Sequence, residues 1–185
     1  GIPGESLKGV RLNAPKDGQN YKGKNVYVIG GADGAVKEAL YLAEIAGKVT
    51  IVCVEDDLAC IQEFRDRAVA CGNIEIMPHA SLTAVHGNEA VEELEFTDNK
   101  TGEKQIVRDA ECGVFVYAGI VPNTQMYTEL KLVQGYIPVD EWMQTEIPGV
   151  FAAGDICVKK VRQVATAVAD GAIAGIQAAA MCEWI

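Results

Sequence analysis

Paired cysteines and closely spaced histidines are absent from this 185-residue sequence. Its six cysteines lie far apart, mostly inside apolar runs, and no two form a C-x-x-C pair, so neither a zinc site nor a redox dithiol is indicated. The two histidines, His79 and His86, lack H-x-H or H-x-x-x-H spacing, which favours structural roles over metal binding or acid-base chemistry. The sequence therefore predicts no metal site.

Positive charge and long apolar runs are also scarce. The formal net charge is −10, which disfavours nucleic acid and anionic membrane surfaces as partners because both would repel the protein. No stretch approaches the roughly 20 apolar residues of a membrane span. The start, Gly-Ile-Pro-Gly-Glu, has no charged segment followed by an apolar block. These features predict a cytoplasmic protein with neither nucleic acid nor membrane as a partner.

The composition favours an α/β fold. Hydrophobic residues make up 49% of the chain, enough for one sizeable core, and 19 glycines with 6% aromatics suit short strands and helices joined by tight turns. From Asn25 a β-rich run ends in glycines, and helical apolar spacing follows up to Gly47. An apolar strand from Lys48 completes a Rossmann-like βαβ unit. A second helix over 57–70 and a strand over 73–77 are predicted next.

A change of pattern marks an insertion in this α/β unit. Between residues 81 and 108 the sequence shows the pattern of alternating strands, with an Asp-Asn-Lys-Thr-Gly turn between two of them. This pattern predicts an antiparallel β-meander. A buried strand follows over 112–119, and we place the end of the first domain there. The remaining sequence predicts a short strand from Gly135, a buried run over 149–155 and a long alanine-rich helix over 163–182.

A glycine-rich segment after the first strand is the first candidate site. It consists of Gly30, Gly31, Ala32, Asp33, Gly34 and Ala35. The segment is similar to the G-x-G-x-x-G/A dinucleotide-binding pattern, in which small residues let the backbone approach a pyrophosphate and the helix N-terminus supplies free N–H groups. Gly30 suits the tight turn and Ala35 the close helix contact, but the methyl of Ala32 stands where the phosphates come nearest. A purely structural glycine turn is the alternative.

Acidic residues follow the second strand, about twenty positions after the glycines. In dinucleotide-binding folds an acidic residue there binds the ribose hydroxyls of NAD, whereas basic residues accommodate the phosphate of NADP. This chain has Glu55, Asp56 and Asp57, and we expect no arginine or lysine near that strand end. The pattern favours NAD(H) over NADP(H), with Glu55 or Asp56 as the ribose ligand. A solvated acidic helix start, which the helix dipole also favours, is the alternative.

Several segments, in order, resemble the thioredoxin reductases and their relatives among flavoproteins with two dinucleotide-binding domains. The likeness covers nearly the whole chain: residues 2–5 are similar to the linker that leaves the first flavin half, and 113–124 to a strand-and-loop signature. Its most specific part is Pro-Gly-Val-Phe-Ala-Ala-Gly-Asp at 148–155, followed by Arg-Gln-Val at 162–164. The resemblance implies a linker at 1–23, a pyridine-nucleotide-binding domain at 24–119 and the C-terminal part of an FAD-binding domain at 120–185.

The resemblance also implies FAD as a second cofactor. The cofactor-binding residues in the segments 113–124, 148–155 and 162–164 would be Gly119, Gly154, Asp155, Arg162, Gln163 and Val164. Asp155 would bond the ribitol and phosphate region, and the helix start at Gln163 and Val164 would face the flavin ring, where a helix N-terminus stabilises a reduced flavin. The first half of the FAD domain has no counterpart in this sequence, so we expect a piece of a longer polypeptide or a separate subunit. A homodimer is a further expectation.

Three departures from the family pattern bear on function. Aligning the flanking Gly-Val and Asp-Gly places Asn13 and Lys16 where the family has its C-x-x-C, and neither side chain carries disulfide electrons. The arginine-rich motif that binds the NADP phosphate in the family reads Cys-Val-Glu-Asp-Asp-Leu-Ala at 53–59. The glycine turn has Ala32 at its middle position, and Lys37 stands where the family has a glutamate. We therefore predict no catalytic dithiol in this chain.

The leading hypothesis is part of a flavin oxidoreductase that transfers electrons between NADH and FAD, with an acceptor other than its own dithiol. Ferredoxin and flavodoxin are candidate redox partners, and the sequence does not choose among acceptors. One alternative is a ferredoxin-linked flavoprotein with a decayed nucleotide site. Another is a non-catalytic scaffold or interaction domain. Trp142 and Trp184 are predicted to pack at an edge or an interface.

Overall fold

The computed structural model describes residues 1–182, so Trp184 lies outside the described residues. The chain divides into two compact units, residues 1–119 and 120–185. The strands of the first unit are β1 (Val10–Arg11), β2 (Asn25–Ile29), β3 (Lys48–Val52), β4 (Ile74–Met77), β5 (Ala80–His86), β6 (Glu93–Asp98), β7 (Lys104–Arg108) and β8 (Gly113–Val116). Its helices are α1 (Ala14–Asp17), α2 (Asp33–Ala43) and α3 (Gln62–Ala70). The second unit contains a 3-10 turn (Gly154–Ile156) and α4 (Val164–Met181).

The first unit has a parallel sheet with a different partner on each face. Its strand order is β1-β8-β2-β3-β4, and β5, β6 and β7 form a separate antiparallel sheet. Because side chains alternate along a strand, Val26 and Val28 join the core formed with α2 and α3, whereas Tyr27 joins Leu94 and Phe96 of the antiparallel sheet. This arrangement confirms the predicted Rossmann-like α/β fold with an inserted β-meander.

The second predicted helix begins later than the sequence pattern suggested. We predicted a helix over 57–70, and α3 begins at Gln62. The preceding residues are held by side-chain contacts instead: Asp57 pairs with Arg65, and the Ile61 N–H donates to the Asp33 carboxylate at 2.8 Å. The second bond ties the loop before α3 to the start of α2, beside the glycine-rich segment.

Residues 1–23, which resemble a linker, contribute to the core of the first unit. β1 pairs in parallel with β8, with Val10 opposite Val114. Ala14 and Tyr21 are buried in the core that α2 shares with the sheet. The Tyr21 ring lies edge-on to Phe115 at 5.5 Å between centroids. This segment is therefore fixed by apolar contacts with the sheet.

The second unit buries little of its apolar surface among the described residues. The segments predicted as a short strand and a buried run form only isolated bridges: Val133 with Tyr136, Ile137 with Cys157 and Gln144 with Phe151. Val150 is 40% exposed. The structure differs here from the prediction of a buried run, because an apolar sequence indicates that a segment needs a partner without saying where that partner lies.

Helix α4 is also largely exposed. It has 18 residues, 6% of them buried, and is long and apolar enough to cross a membrane by length and composition alone. This corrects the expectation that no segment approaches such a span, although a single helix of this kind is weak evidence for a membrane. Asp170, near the middle of α4, is paired with Lys159. A charged residue at the centre of a membrane helix costs about 2.5–3.5 kcal/mol on insertion scales, so its presence argues against that placement.

The core between the parallel and the antiparallel sheet, which contains Leu94 and Phe96, should contribute strongly to the stability of the first unit. Leu94→Ala removes a fully buried side chain and should lower the free energy of unfolding by about 2–5 kcal/mol. Ile106→Ala on the neighbouring strand is the control, because Ile106 is 56% exposed; its effect should stay within about 0.5 kcal/mol. Urea unfolding followed by circular dichroism measures both. Equal effects of the two substitutions would contradict this assignment of the core.

Candidate functional site

A cleft lies where the central parallel strands of the first unit end. Its volume is about 370 Å³, and it is lined by the turn after β2, the end of β3, the start of β5 and the segment after β8. Ligands of open α/β sheets bind outside the carboxyl ends of the strands. The cleft therefore occupies the edge of the sheet at which this fold class binds small molecules.

The turn after β2 depends on two glycines that approach other strands closely. Gly30 has φ of +130°, and a Cβ there would lie 2.4 Å from the carbonyl oxygen of Tyr117. A Cβ on Gly31 would lie 2.7 Å from the Cβ of Cys53. Ala35 is buried and lies beside Gly30, 3.3 Å from that same hypothetical Cβ. Larger side chains at either glycine would push the turn away from the strand ends.

The remaining residues of the turn are exposed at the start of α2. Ala32 is the N-cap residue of this helix and makes no side-chain cap bond. Asp33 follows in the first turn, with its carboxylate bonded to the loop before α3. A Cβ on Gly34 would contact nothing within 4 Å. The N–H groups of the first helical turn have no acceptor within the helix, which is the arrangement that binds phosphate in many folds.

The acidic residues after β3 differ in their partners. Glu55 lies beside the turn, its Oε2 3.6 Å from the Cβ position of Gly31. Asp56 lies 2.9 Å from Lys100 Nζ and 3.3 Å from His79 Nδ1. The hydrogen bond from Lys100 lowers the pKa of Asp56, as does its charge, so this carboxylate stays ionised.

Basic side chains do reach this strand end, which corrects an expectation from the sequence. Lys100 comes from the turn between β6 and β7, and Arg65 comes from α3, where it pairs with Asp57. Both are separated along the chain from the carboxylates they contact. Glu55 forms no salt bridge with any residue of the described range.

The remaining lining residues include Gly119, which the sequence predicted as a cofactor-binding residue. Ser81 and Leu82 of β5, together with Tyr117 and Gly119, complete the cleft. Gly119 has φ of +115° and lies at the end of the first unit. The Tyr117 hydroxyl accepts a hydrogen bond from the Ala14 N–H at 2.9 Å. Burial raises the pKa of Tyr117, so its hydroxyl stays protonated at neutral pH.

Asn13 and Lys16, the residues predicted to stand at the family's cysteine positions, form a helix cap. Asn13 is the N-cap residue of α1, and its side-chain oxygen accepts a bond from the Lys16 N–H at 2.9 Å. Lys16 itself is exposed. Asparagine is among the preferred N-cap residues because it satisfies a free N–H of the first turn. The hydrogen bond between Asn13 and Lys16 is therefore a structural one, at the start of α1.

The cysteines with perturbed acidity in the described residues are poor nucleophiles. Burial raises the pKa of Cys53 to about 11 and that of Cys112 to about 12. Burial also raises the pKa of Cys60 and Cys157. Because the thiolate is the reactive form, these thiols are less reactive at neutral pH than an unperturbed cysteine.

In the second unit, Asp170 joins the candidate flavin segment to α4. Gly154 has φ of +84°, and its N–H donates to the Asp170 carboxylate at 2.9 Å. Lys159 donates to the same oxygen, and this bond is the main cause of the lowered pKa of Asp170. Asp155 follows Gly154 and is exposed. Asp170 and Lys159 position the turn that carries Asp155, and the sequence motifs did not indicate either residue.

The start of α4 carries the other residues of the flavin segment. Gln163 is its N-cap residue and forms a capping box with Thr166. Arg162 donates from Nε to the Asp155 carbonyl at 3.2 Å, and its guanidinium lies 4.0 Å from the centre of the Tyr136 ring. Val164 is 82% exposed. The structure thus brings residues 154, 155 and 162–164 together within the second unit.

Comparisons with known proteins agree with this arrangement. The family model for pyridine nucleotide-disulphide oxidoreductases matches residues 1–171. A thioredoxin reductase of Peptoclostridium acidaminophilum is 39% identical over 187 residues, which cover 96% of this chain and 59% of that protein. A thioredoxin reductase of Bacillus subtilis (strain 168) is 37% identical over 180 residues, covering 94% of this chain and 56% of its own length.

Solved structures give the same result. The crystal structure of Lactococcus lactis thioredoxin reductase (FR conformation) has a TM-score of 0.88 and 34% identity, covering 97% of this chain and 60% of that one. The T. acidophilum thioredoxin reductase has a TM-score of 0.86 and 32% identity, covering 98% and 61%. This chain therefore spans about three fifths of the length of such relatives. It belongs to the pyridine nucleotide-disulphide oxidoreductase family, within which it resembles the thioredoxin reductases.

Proposed function

We propose that this chain is the NADH-binding unit and a flavin-contacting segment of an FAD-dependent oxidoreductase whose electron acceptor is not an internal dithiol. The observation that carries the proposal is the cleft at the carboxyl ends of the strands, where the glycine turn and Glu55 meet. The turn offers backbone N–H groups for a pyrophosphate, and Glu55 offers a carboxylate for ribose hydroxyls. These are the two contacts that a dinucleotide needs.

The charges beside Glu55 support NADH over NADPH. Asp56 and Asp57 are each paired with one cation, Lys100 and Arg65 respectively. Each of these cations already has a carboxylate partner, so neither is free to pair with the 2′-phosphate of NADPH. Glu55 would repel that phosphate, whereas it accepts hydrogen bonds from the 2′- and 3′-hydroxyls of NADH.

The absence of dithiol chemistry rests on Asn13 and Lys16. Asn13 caps α1 with its side chain, and neither side chain accepts electrons. The curated relatives named above are thioredoxin reductases, but this chain lacks a pair of cysteines at the aligned positions. Reduction of an external acceptor by the flavin, such as another protein's redox centre, accounts for both the shared fold and this difference.

The second unit fits a flavin-contacting role. Asp155 is exposed, and its carboxylate has no ion-pair partner among residues 1–182. Gln163 starts α4 with a capping box. The N–H groups of the first helical turn that this box does not satisfy are available to an acceptor. FAD, when bound, supplies the electron-transfer chemistry, and these residues would hold and polarise it. A homodimer and a cytoplasmic location stay predictions.

A ferredoxin-linked flavoprotein is the second candidate, and one observation favours it. Ala32 carries a methyl at the place where the backbone should approach a pyrophosphate, and the Asp33 carboxylate adds negative charge at the same helix start. Both features weaken a phosphate site. Flavin that binds normally while neither nicotinamide dinucleotide binds would select this candidate, and loss of both cofactors would select a scaffold.

Glu55→Gln should weaken NADH binding. The substitution replaces a charge-assisted hydrogen bond, worth about 1.5–3 kcal/mol, by a neutral one worth about 0.5–1.5 kcal/mol, so the dissociation constant should rise about fivefold to tenfold. NADPH binding should strengthen or stay unchanged, because a repulsive charge is lost. Fluorescence titration of the flavin-loaded protein, with the first half of the FAD domain supplied, measures the dissociation constants of the two nucleotides. An unchanged NADH constant would remove Glu55 from the site.

Asp56→Asn should shift preference towards NADPH. The substitution leaves Lys100 without its carboxylate partner, so its charge becomes available to the 2′-phosphate. We expect the ratio of NADH to NADPH affinity to fall by about tenfold, the size of one surface-accessible charged hydrogen bond. Asp66→Asn is the matched control, because it removes the same charge from the exposed face of α3. An equal shift in both variants would reduce the effect to net charge.

Ala32→Gly should strengthen dinucleotide binding. It removes the methyl at the closest approach of the phosphates and makes the segment match the glycine pattern fully. Glycine is also a better N-cap residue than alanine, so the fold should be retained. We expect the dissociation constants of NADH and NADPH to fall together, by about threefold to tenfold. Unchanged constants would mean that the phosphates do not approach this residue.

A further inference from the structure

A second cavity lies at the opposite edge of the parallel sheet from the nucleotide cleft. Its volume is about 360 Å³. Gly9, Lys24 and Cys112 line it, and these residues directly precede β1, β2 and β8, which are neighbours in the sheet. We call it the amino-edge cavity. Nothing in the proposed oxidoreductase chemistry uses this edge.

The charge of the amino-edge cavity is opposite to that of the chain. Lys8, Arg11 and Lys24 line it together with one carboxylate, Glu111. The lining therefore carries three positive charges and one negative charge, in a protein whose formal net charge is −10. Such a local concentration of cations attracts small anions in preference to the surrounding surface.

Two of the three cations of the cavity form no salt bridge within the described residues. Lys24 pairs with Glu111 at 2.9 Å. Lys8 and Arg11 form no salt bridge with any residue from 1 to 182. The hydrogen bond and charge of Lys24 lower the pKa of Glu111, and the charge of Lys8 contributes to the same lowering.

Arg11 also has unused hydrogen-bonding capacity. Its Nη1 donates to the Val10 carbonyl at 3.0 Å. Its Nε is buried and has no acceptor among the described residues. A buried donor without an acceptor is destabilising, and such donors in folded proteins are satisfied by bound water or ions or retained for function. Arg11 is therefore held in the cavity wall with its donors only partly used.

We propose that the amino-edge cavity binds a phosphate group, either as inorganic phosphate or as part of a small phosphate monoester. Arg11 and Lys8 would supply charge-assisted hydrogen bonds, and Lys24 would exchange part of its pairing with Glu111 for the ligand. The buried Tyr21, whose hydroxyl lies 3.4 Å from the Gly9 carbonyl, closes the inner side. The site is independent of the nucleotide cleft and of the proposed electron transfer.

Calorimetric titration of the full protein tests the site. Inorganic phosphate and glycerol phosphate are titrated separately at constant chloride concentration, which distinguishes the free ion from a monoester. We expect saturable binding of at least one of them, and Lys8→Gln with Arg11→Gln should weaken it by about tenfold or more. Lys22→Gln is the matched control, because Lys22 is exposed on the same segment and does not line the cavity.

A second variant distinguishes loss of the phosphate site from misfolding of the protein, because it is expected to bind phosphate more tightly. Glu111→Gln removes the carboxylate that competes for Lys24 and should strengthen phosphate binding by about threefold to tenfold. The proposal is overturned if neither anion binds saturably, or if Lys22→Gln weakens binding as much as the double variant. It is also overturned if binding survives the double variant, since the turn at Gly30 is the other place an anion would occupy. None of these outcomes changes the NADH measurements.

Discussion

The close approach of the turn after β2 to its neighbouring strands determines the geometry of the candidate site. β2 pairs in parallel with β3 on one side and β8 on the other. The chain is therefore sterically restricted by both neighbouring strands where it leaves the sheet. Gly30 and Gly31 pass the Tyr117 carbonyl and the Cys53 side chain at distances that a Cβ would not tolerate. This constraint sets where α2 begins, and with it the position of the free N–H groups of its first turn.

Electrostatics at the end of β3 follow from that geometry. The fold brings the β6–β7 turn and α3 to the same strand end, where Lys100 and Arg65 neutralise Asp56 and Asp57. Glu55 remains beside the glycine turn without a partner in the described range. In the proposed NADH site, one unpaired carboxylate among paired ones is a more selective arrangement than three free carboxylates, because it would present a single acceptor to the ribose.

The parts of the fold that local patterns specify were predictable. The βαβ unit and the meander have short connections and clear apolar periods, so the sequence indicates them directly. Contacts between distant segments were not predictable: Lys100 reaches Asp56 through the meander turn, and Asp170 holds Gly154 from α4. The late start of α3 reflects side-chain bonds of Asp57 that compete with helix formation. The exposure of Val150 shows that apolar composition indicates a need for burial and not its location.

Anaerobic reduction of the flavin-loaded protein, with the first half of the FAD domain supplied, tests the central claim most directly. The protein is titrated separately with NADH and NADPH while flavin absorbance is followed. The account predicts that NADH bleaches the flavin with one equivalent per flavin, because no dithiol takes a second electron pair. NADPH should reduce the flavin far less efficiently, because Glu55 repels its 2′-phosphate. Preferential reduction by NADPH, no reduction by either nucleotide, or consumption of a second equivalent by a disulfide would contradict it.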